Sequence, residues 1–303
     1  MRLIRSFVVL GLAISLLAAC SSTPEPNEAA SAGSEPVVEA EPEAQPAIVE
    51  PRLVAHPADS DPFDAIGTSG TFVARQVGST TVHVIAEDRA STPYLPASTF
   101  KILNSLIILE TGQVGSVDEV VEWDGEYRGI DAWNQDHSLR SGIEVSAVWL
   151  YQHHARGVGD ERMAELVAAA DYGNGILGGP VDRFWLDGAL RISALEQLDV
   201  MERLMTDALP FDVDHQEALR EILVREEGDS WRWLHKTGTA IATEPVLGWL
   251  VGATEHDGEQ WVFALNLDLE GLGPDGVVTQ INPQARIDIA RTLLADLGAL
   301  PAI

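Results

Sequence analysis

Two short motifs hold the residues whose types and spacing suit covalent chemistry. The first is Pro96-Ala97-Ser98-Thr99-Phe100-Lys101, where a serine hydroxyl and a lysine amine stand three residues apart. Residues at i and i+3 share a helix face. From Phe100 to Leu109 the chain is apolar nearly all round, so this helix is expected to be buried. Desolvation disfavours an ammonium group, and a neutral amine, or a group made from it, can take the serine proton. The start of the helix also offers N–H groups to a developing oxyanion. A serine N-cap with a lysine at the helix mouth would give the same motif without chemistry. A count weighs against that alternative: 17 of the 19 basic residues are Arg, and the only lysines are Lys101 and Lys236. Arg stays charged, whereas a buried Lys can lose its proton. The second lysine opens Lys236-Thr237-Gly238 at the end of a predicted strand, about 135 residues downstream. Chance explains the ordered pair poorly.

The elements that must position these motifs are legible from patterning. Gly70–Gln76 and Thr80–Ala86 read as a hairpin around Val77-Gly78-Ser79. Trp231–Gly238, Val246–Ala253 and Gln260–Leu269 read as three later strands, the last two joined at Asp257-Gly258. Between the groups lies a mainly helical region. Capping-box patterns at Ser193 and Asp214 open helices to about Leu209 and Glu226, and Asp160 opens one to Ala170. A last helix spans about Pro283 to Leu297, with Gly298 at its end. Strands from both ends of the chain with helices between them predict an α+β fold, one antiparallel sheet beside a helical lobe and a cleft where they meet. There is no internal repeat.

Composition narrows the class of function. The chain has 303 residues and a formal charge of −28, which argues against a nucleic-acid partner. A single cysteine excludes an intrachain disulfide and, with no CxxC pair, a structural zinc-thiolate site; no metal is expected. That cysteine, Cys20, ends an export-signal pattern: Arg2 and Arg5, then an apolar stretch from Phe7 to Ala19. Leu17-Ala18-Ala19-Cys20 is similar to the bacterial lipobox, which implies lipidation of Cys20 and a membrane anchor at the mature N-terminus. Residues 21–50 hold seven Glu, five Pro and no Lys or Arg, so they cannot bury enough apolar surface to fold. The domain plan is a signal at 1–20, an acidic linker at 21–64 and a catalytic domain at 65–303.

The motifs in order resemble the class D (oxacillinase-type) serine β-lactamases. Pro96 to Lys101 is similar to the family's nucleophile motif, Ser146-Ala147-Val148 to its S-x-V element and Tyr172-Gly173-Asn174 to its Y-G-N. Phe184-Trp185-Leu186-Asp187-Gly188, followed by Arg191-Ile192-Ser193, resembles its loop and following helix. The likeness spans about residues 65 to 300. It implies the β-lactamase and penicillin-recognising fold, and β-lactam hydrolysis through an acyl-enzyme on Ser98. It also implies a CO2-derived carbamate on Lys101 (N6-carboxylysine) as general base, with bicarbonate as its only cofactor. Trp185 would donate to that carbamate under an apolar lid of Val148 and Leu186. Ser146 and Lys236 would pass a proton to the leaving nitrogen, and Ser98 and Thr239 would supply the oxyanion N–H groups. Arg286, with Arg291 the weaker candidate, would hold the substrate carboxylate together with Thr237 and Gly238. Trp133 would line the cleft, and Tyr172 and Asn174 belong to the same substrate-binding set. Thr239 departs from the aromatic residue frequent after K-T-G. The implied setting is the periplasmic face of a bacterial membrane, the outer one, with β-lactams as small-molecule partners; no oligomeric state is implied.

Other functions fit the same residues less well. A sensor domain would acylate without release, but such sensors follow several membrane spans. A DD-peptidase shares S-x-x-K and K-T-G but not Trp185 and Y-G-N. Intact Ser98, Lys101, Ser146 and Lys236 argue against a non-catalytic wall-binding module. Gly173-x-Gly175-x-x-Gly178 follows a predicted helix, so it reads as a loop and not as a dinucleotide site. His153-His154 lacks a further ligand at helical spacing.

Overall fold

A computed structural model describes residues 51–58, 61–272 and 278–302. The signal and lipobox expected at 1–20, and most of the expected linker, lie outside these residues. In chain order the elements are β1 (Arg52–Ala55), α1 (Pro62–Ala65), β2 (Gly70–Gln76), β3 (Thr81–Ile85) and α2 (Glu87–Ala90). A 3-10 turn, Ala97–Phe100, then runs into α3 (Lys101–Glu110). The lobe helices are α4 (Leu139–Glu144), α5 (Val148–Val158), α6 (Asp160–Ala169), α7 (Phe184–Asp187), α8 (Ala194–Met205) and α9 (Val213–Leu223). There follow β4 (Val224–Glu227), β5 (Trp231–Ala240), β6 (Leu247–His256), β7 (Glu259–Asp268), β8 (Glu270–Leu272), β9 (Val278–Gln280) and α10 (Ala285–Asp296).

The main sheet has the order β1-β3-β2-β7-β6-β5-β4. Hairpins β2–β3 and β6–β7, far apart in sequence, meet where β2 pairs antiparallel with β7 along its whole length. The sheet is therefore built from both ends of the domain, as the alternating apolar runs predict. It is mixed and not wholly antiparallel, because β1 pairs parallel with β3. The same strand corrects the linker boundary at 64: residues 52–55 are paired, and Phe63 of α1 is buried in the core. Polar Glu-rich sequence before residue 51 masked that short strand.

Each face of the sheet is covered by a separate core. Leu234, Val251, Ala253, Val262 and Ala264 face the helical lobe, where α3 is buried from Lys101 to Leu109. Trp233, Leu250, Phe263 and Leu265 face α10 through Ile289, Leu293 and Leu294. Alternation along β5 thus sends successive residues to opposite cores. Ser193 caps α8 through a reciprocal capping box with Glu196, as its pattern predicts. Asp214 does not cap α9. Asp212 accepts from Asp214 N–H instead, and the helix stops at Leu223 because Val224 already pairs with Leu234 of β5.

Candidate active site

Ser98 sits on a short turn whose Ala97 and Phe100 are packed in the core on the lobe side of the sheet. Ala97, immediately before it, has φ of 49°, a left-handed conformation that costs energy for a residue with a Cβ. This conformation sets Ser98 at the start of the 3-10 turn, partly exposed, while Thr99 and Phe100 are fully buried. Phe100 anchors the turn in an aromatic cluster. Its ring stacks on Trp185 at 5.5 Å and meets Phe184 and Tyr172 edge-on at 4.9 and 5.5 Å. Gly238 of β5 packs against the same turn; a Cβ there would stand 3.1 Å from both Pro96 O and Thr99 Cγ2. A side chain after Lys236-Thr237 would thus press on the serine turn, which would have to give by a few tenths of an ångström.

Lys101 lies beneath the serine. Its Nζ donates to Ser98 Oγ at 2.9 Å, and the side chain is fully buried. Burial pushes the amine down to about 7, so near neutrality it is divided between charged and neutral forms. Tyr151 of α5 walls the pocket, its ring centroid 5.2 Å from Nζ. Its hydroxyl meets Ser105 Oγ at 2.9 Å, and Ser105 Oγ donates to Lys101 O at 2.8 Å. Both groups were unremarked in the sequence, although Tyr151 lies three residues after Val148, on the same helix face.

Two further buried polar atoms of the predicted site stand without partners. Trp185 Nε1 has no acceptor, and Ser146 Oγ has no partner. Ser146, like Ala97, is held at positive φ, 58°. Across the cleft, Lys236 is buried, and its Nζ donates to Thr237 O at 2.9 Å. Burial first, then the charges of Lys101, Arg225 and Arg286, hold this amine well below the usual lysine range. Arg286, in the first turn of α10, reaches the same strand: Nη1 donates to Gly238 O at 2.7 Å and to Thr239 Oγ1 at 3.2 Å. Its Nε is buried without an acceptor. Burial brings the guanidinium down to about 10, still charged at neutral pH. Arg291 is turned elsewhere. It pairs with Glu226, with its guanidinium 4.4 Å from the Trp233 ring centroid.

These groups open on a cleft of about 780 Å3 lined by Ser98, Trp133, Ser146, Val148, Leu186, Thr237, Gly238, Thr239 and Arg286. Asp187 of the Phe184-to-Gly188 motif also lines it, together with Ile130, Arg183 and Ile241, which no sequence motif marks. Ile241 lies two residues beyond Thr239, a spacing that could have flagged it. Trp133 is fixed by its Nε1 donating to Val145 O at 2.9 Å.

Two expected substrate-binding residues lie outside the cleft. Tyr172 is buried in the aromatic cluster behind Phe100. Asn174 is exposed, its amide donating to Ala189 O at 3.0 Å and its Oδ1 accepting from Arg191 N at 3.1 Å. Both residues shape the loop that brings Phe184 and Trp185 to the serine. Gly173, Gly175 and Gly178 of that loop all have positive φ, which accounts for their spacing without a dinucleotide.

A serine on a strained turn, a buried lysine one turn on, and a K-T-G strand across the cleft define the penicillin-recognising serine proteins. A family model described as the penicillin binding protein transpeptidase domain matches residues 65–284. β-Lactamase OXA-48 of Klebsiella pneumoniae is 41% identical over 195 residues, covering 63% of this chain and 74% of that protein. β-Lactamase OXA-10 of Pseudomonas aeruginosa is 39% identical over 211 residues, covering 69% and 79%. The solved structure of the class D β-lactamase YbXI from Nostoc matches with a TM-score of 0.73 at 35% identity, over 79% of this chain and 98% of that one. The chain belongs to the class D β-lactamases, and it is a hydrolase of that family.

Proposed function

We propose that the chain opens the β-lactam amide through a covalent ester on Ser98 and that water then releases it. The observation that carries this reading is the 2.9 Å contact between Ser98 Oγ and a fully buried Lys101 Nζ. Ser98 Oγ bonds to the lactam carbonyl carbon, the C–N bond breaks, and the freed nitrogen takes a proton from Ser146, with Lys236 supplying the relay. The N–H groups of Ser98 and Thr239 receive the oxyanion. Arg286, charged and without a carboxylate partner among the described residues, binds the substrate carboxylate with Thr237.

The pocket suits a carboxylated Lys101. Only an unprotonated amine reacts with CO2, and burial brings this one to about 7. The unpartnered Trp185 indole N–H is a ready donor to a carbamate oxygen, and Val148 and Leu186 line the cleft above. Carboxylated, Lys101 would supply an oxygen base for both half-reactions. The alternatives, a sensor or DD-peptidase that acylates and releases slowly, make the opposite kinetic prediction. Mixing the purified chain with a chromogenic cephalosporin should give many turnovers, increased by bicarbonate. A single stoichiometric burst that bicarbonate leaves unchanged would replace this reading with the alternatives. We also propose export and lipid anchoring at Cys20, placing the domain on the periplasmic face of the outer membrane and conferring antibiotic resistance there. A Cys20→Ser variant still fully bound to membranes would contradict the anchor.

A further inference from the structure

Edge strand β4 carries a bulge where it pairs with β5, the strand that bears Lys236 to Thr239. Val224 pairs with Leu234 and Glu226 with Trp233, so Arg225 has no partner of its own in β5. Bulges re-aim side chains and are common near active sites. Here the guanidinium turns inward: Nη1 donates to Ile222 O at 2.9 Å and Val224 O at 3.0 Å, and Nη2 is buried without an acceptor. β4 covers β5 only as far as Leu234, because the preceding residues belong to α9. The edge of β5 at His235 and Lys236 is thus left without a strand, and the Arg225 guanidinium folds back onto Ile222 O, toward the end of β4 beyond which β5 runs on to these two residues; its charge disfavours protonation of both.

We propose that Arg225 is a positioning residue for Lys236, its fixed charge keeping that amine able to accept a proton during turnover. The inference rests on the reading of Lys236 as part of the relay. An ordinary lysine is charged at neutral pH and has no lone pair to offer. Lys236 is faced by Lys101 from α3, Arg286 from α10 and Arg225 from β4, all of which oppose its charging. Tyr151 of α5 is buried and holds its proton, and His235 is neutral, its imidazole pushed down to about 3 chiefly by burial. The acid that attracts Arg225 is Glu144 of α4, which is exposed. Lys101 and Arg286 have other tasks in the proposed reaction, whereas Arg225 is not among the cleft-lining residues. Among the described residues its guanidinium is hydrogen-bonded to main-chain carbonyls and to no side chain.

The experiment exploits the two-lysine composition. The purified chain, labelled at lysine Nζ and kept in CO2-free buffer, gives two side-chain resonances, assigned with Lys236→Arg. The Lys236 resonance should titrate well below the ordinary lysine range. Arg225→Gln should move that titration up by on the order of one pH unit, and the acid limb of kcat should move the same way. Arg225→Lys, which keeps the charge, should restore the acid limb. A Lys236 that titrates like a free lysine, or is unmoved by Arg225→Gln, overturns the inference. Should Arg225→Gln fail to fold, the exposed Glu144→Gln decides: unmasking Arg225 should lower the Lys236 titration, and an unchanged titration counts against the role. Lys236→Ala with full turnover would remove the relay reading itself and leave the titration result standing.

Discussion

The floor of the cleft and the outer surface treat positive charge in opposite ways. On the surface, arginines meet carboxylates: Arg140 with Asp118, Arg156 with Asp182 and Arg220 with Asp207, at 2.6–2.7 Å. Lys101 and Lys236, just behind the cleft lining, and Arg286 within it lie buried with no acid paired to any of them among the described residues. Residues 51–303 carry a formal charge of −23, so acids abound; the one acid among the cleft-lining residues, Asp187, is paired with Arg183. A buried unpaired charge is costly, and proteins sustain such costs chiefly where function requires them. Two amines whose charge is disfavoured can exchange protons, and a guanidinium with free donors can take a carboxylate.

The comparison can be broken most severely at Lys101. Lys101→Ala should lower turnover by about 10^2–10^4-fold, leaving an ester on Ser98 that intact-mass measurement detects. Normal turnover would remove the base assignment. The same residue should trade stability for function. Folding lowers its pKa from 10.5 to about 7, so between those values the unfolded chain binds more protons and stability rises with pH. Below that window the penalty is present in full. Lys101→Met should therefore melt a few degrees higher than the parent chain near neutral pH, and a lower Tm would show that the buried amine is stabilising.

Arg286→Ala should cost about 10- to 100-fold in kcat/KM for a carboxylate-bearing β-lactam, the loss expected for hydrogen bonds to a charged group. An equal loss for a substrate lacking that carboxylate would mean Arg286 supports β5 instead. Trp185→Phe keeps the ring stacked on Phe100 but removes the orphan N–H, so its activity should need more bicarbonate than the parent enzyme. An unchanged bicarbonate requirement would contradict the indole's role. At the small end, Arg140→Ala on the surface should leave kcat/KM as it was and shift Tm by no more than a few degrees.

Much of this arrangement was legible in the sequence because it depends on spacing within one element. Ser98 and Lys101 share a turn, Lys236 to Thr239 share a strand, and the rarity of lysine singled out both amines. Arg286 and Arg291 lie five residues apart on α10, a rotation of roughly 140°, which brings the first to the cleft and turns the second to Glu226 and Trp233. What could not be read depends on how distant segments meet. Tyr172 and Asn174 travel with the motif set, yet they act on the loop and the aromatic cluster and lie outside the cleft. Ile130 and Ile241 become a cleft wall only when two loops are brought face to face. Arg225 looked like one more residue of a helix, because its bulge exists only in register with β5. The short strand β1 was hidden by its length and by the acidic stretch before it.

The most direct test of the central claim is to load the purified chain with 13C-labelled bicarbonate and follow activity and the labelled carbon together. One carbamate resonance per chain should appear, fade in acidic CO2-free buffer as turnover is lost, return with bicarbonate, and be absent from Lys101→Ala. Full, bicarbonate-independent turnover with no labelled carbamate would contradict the account, leaving the bare Lys101 amine as the base.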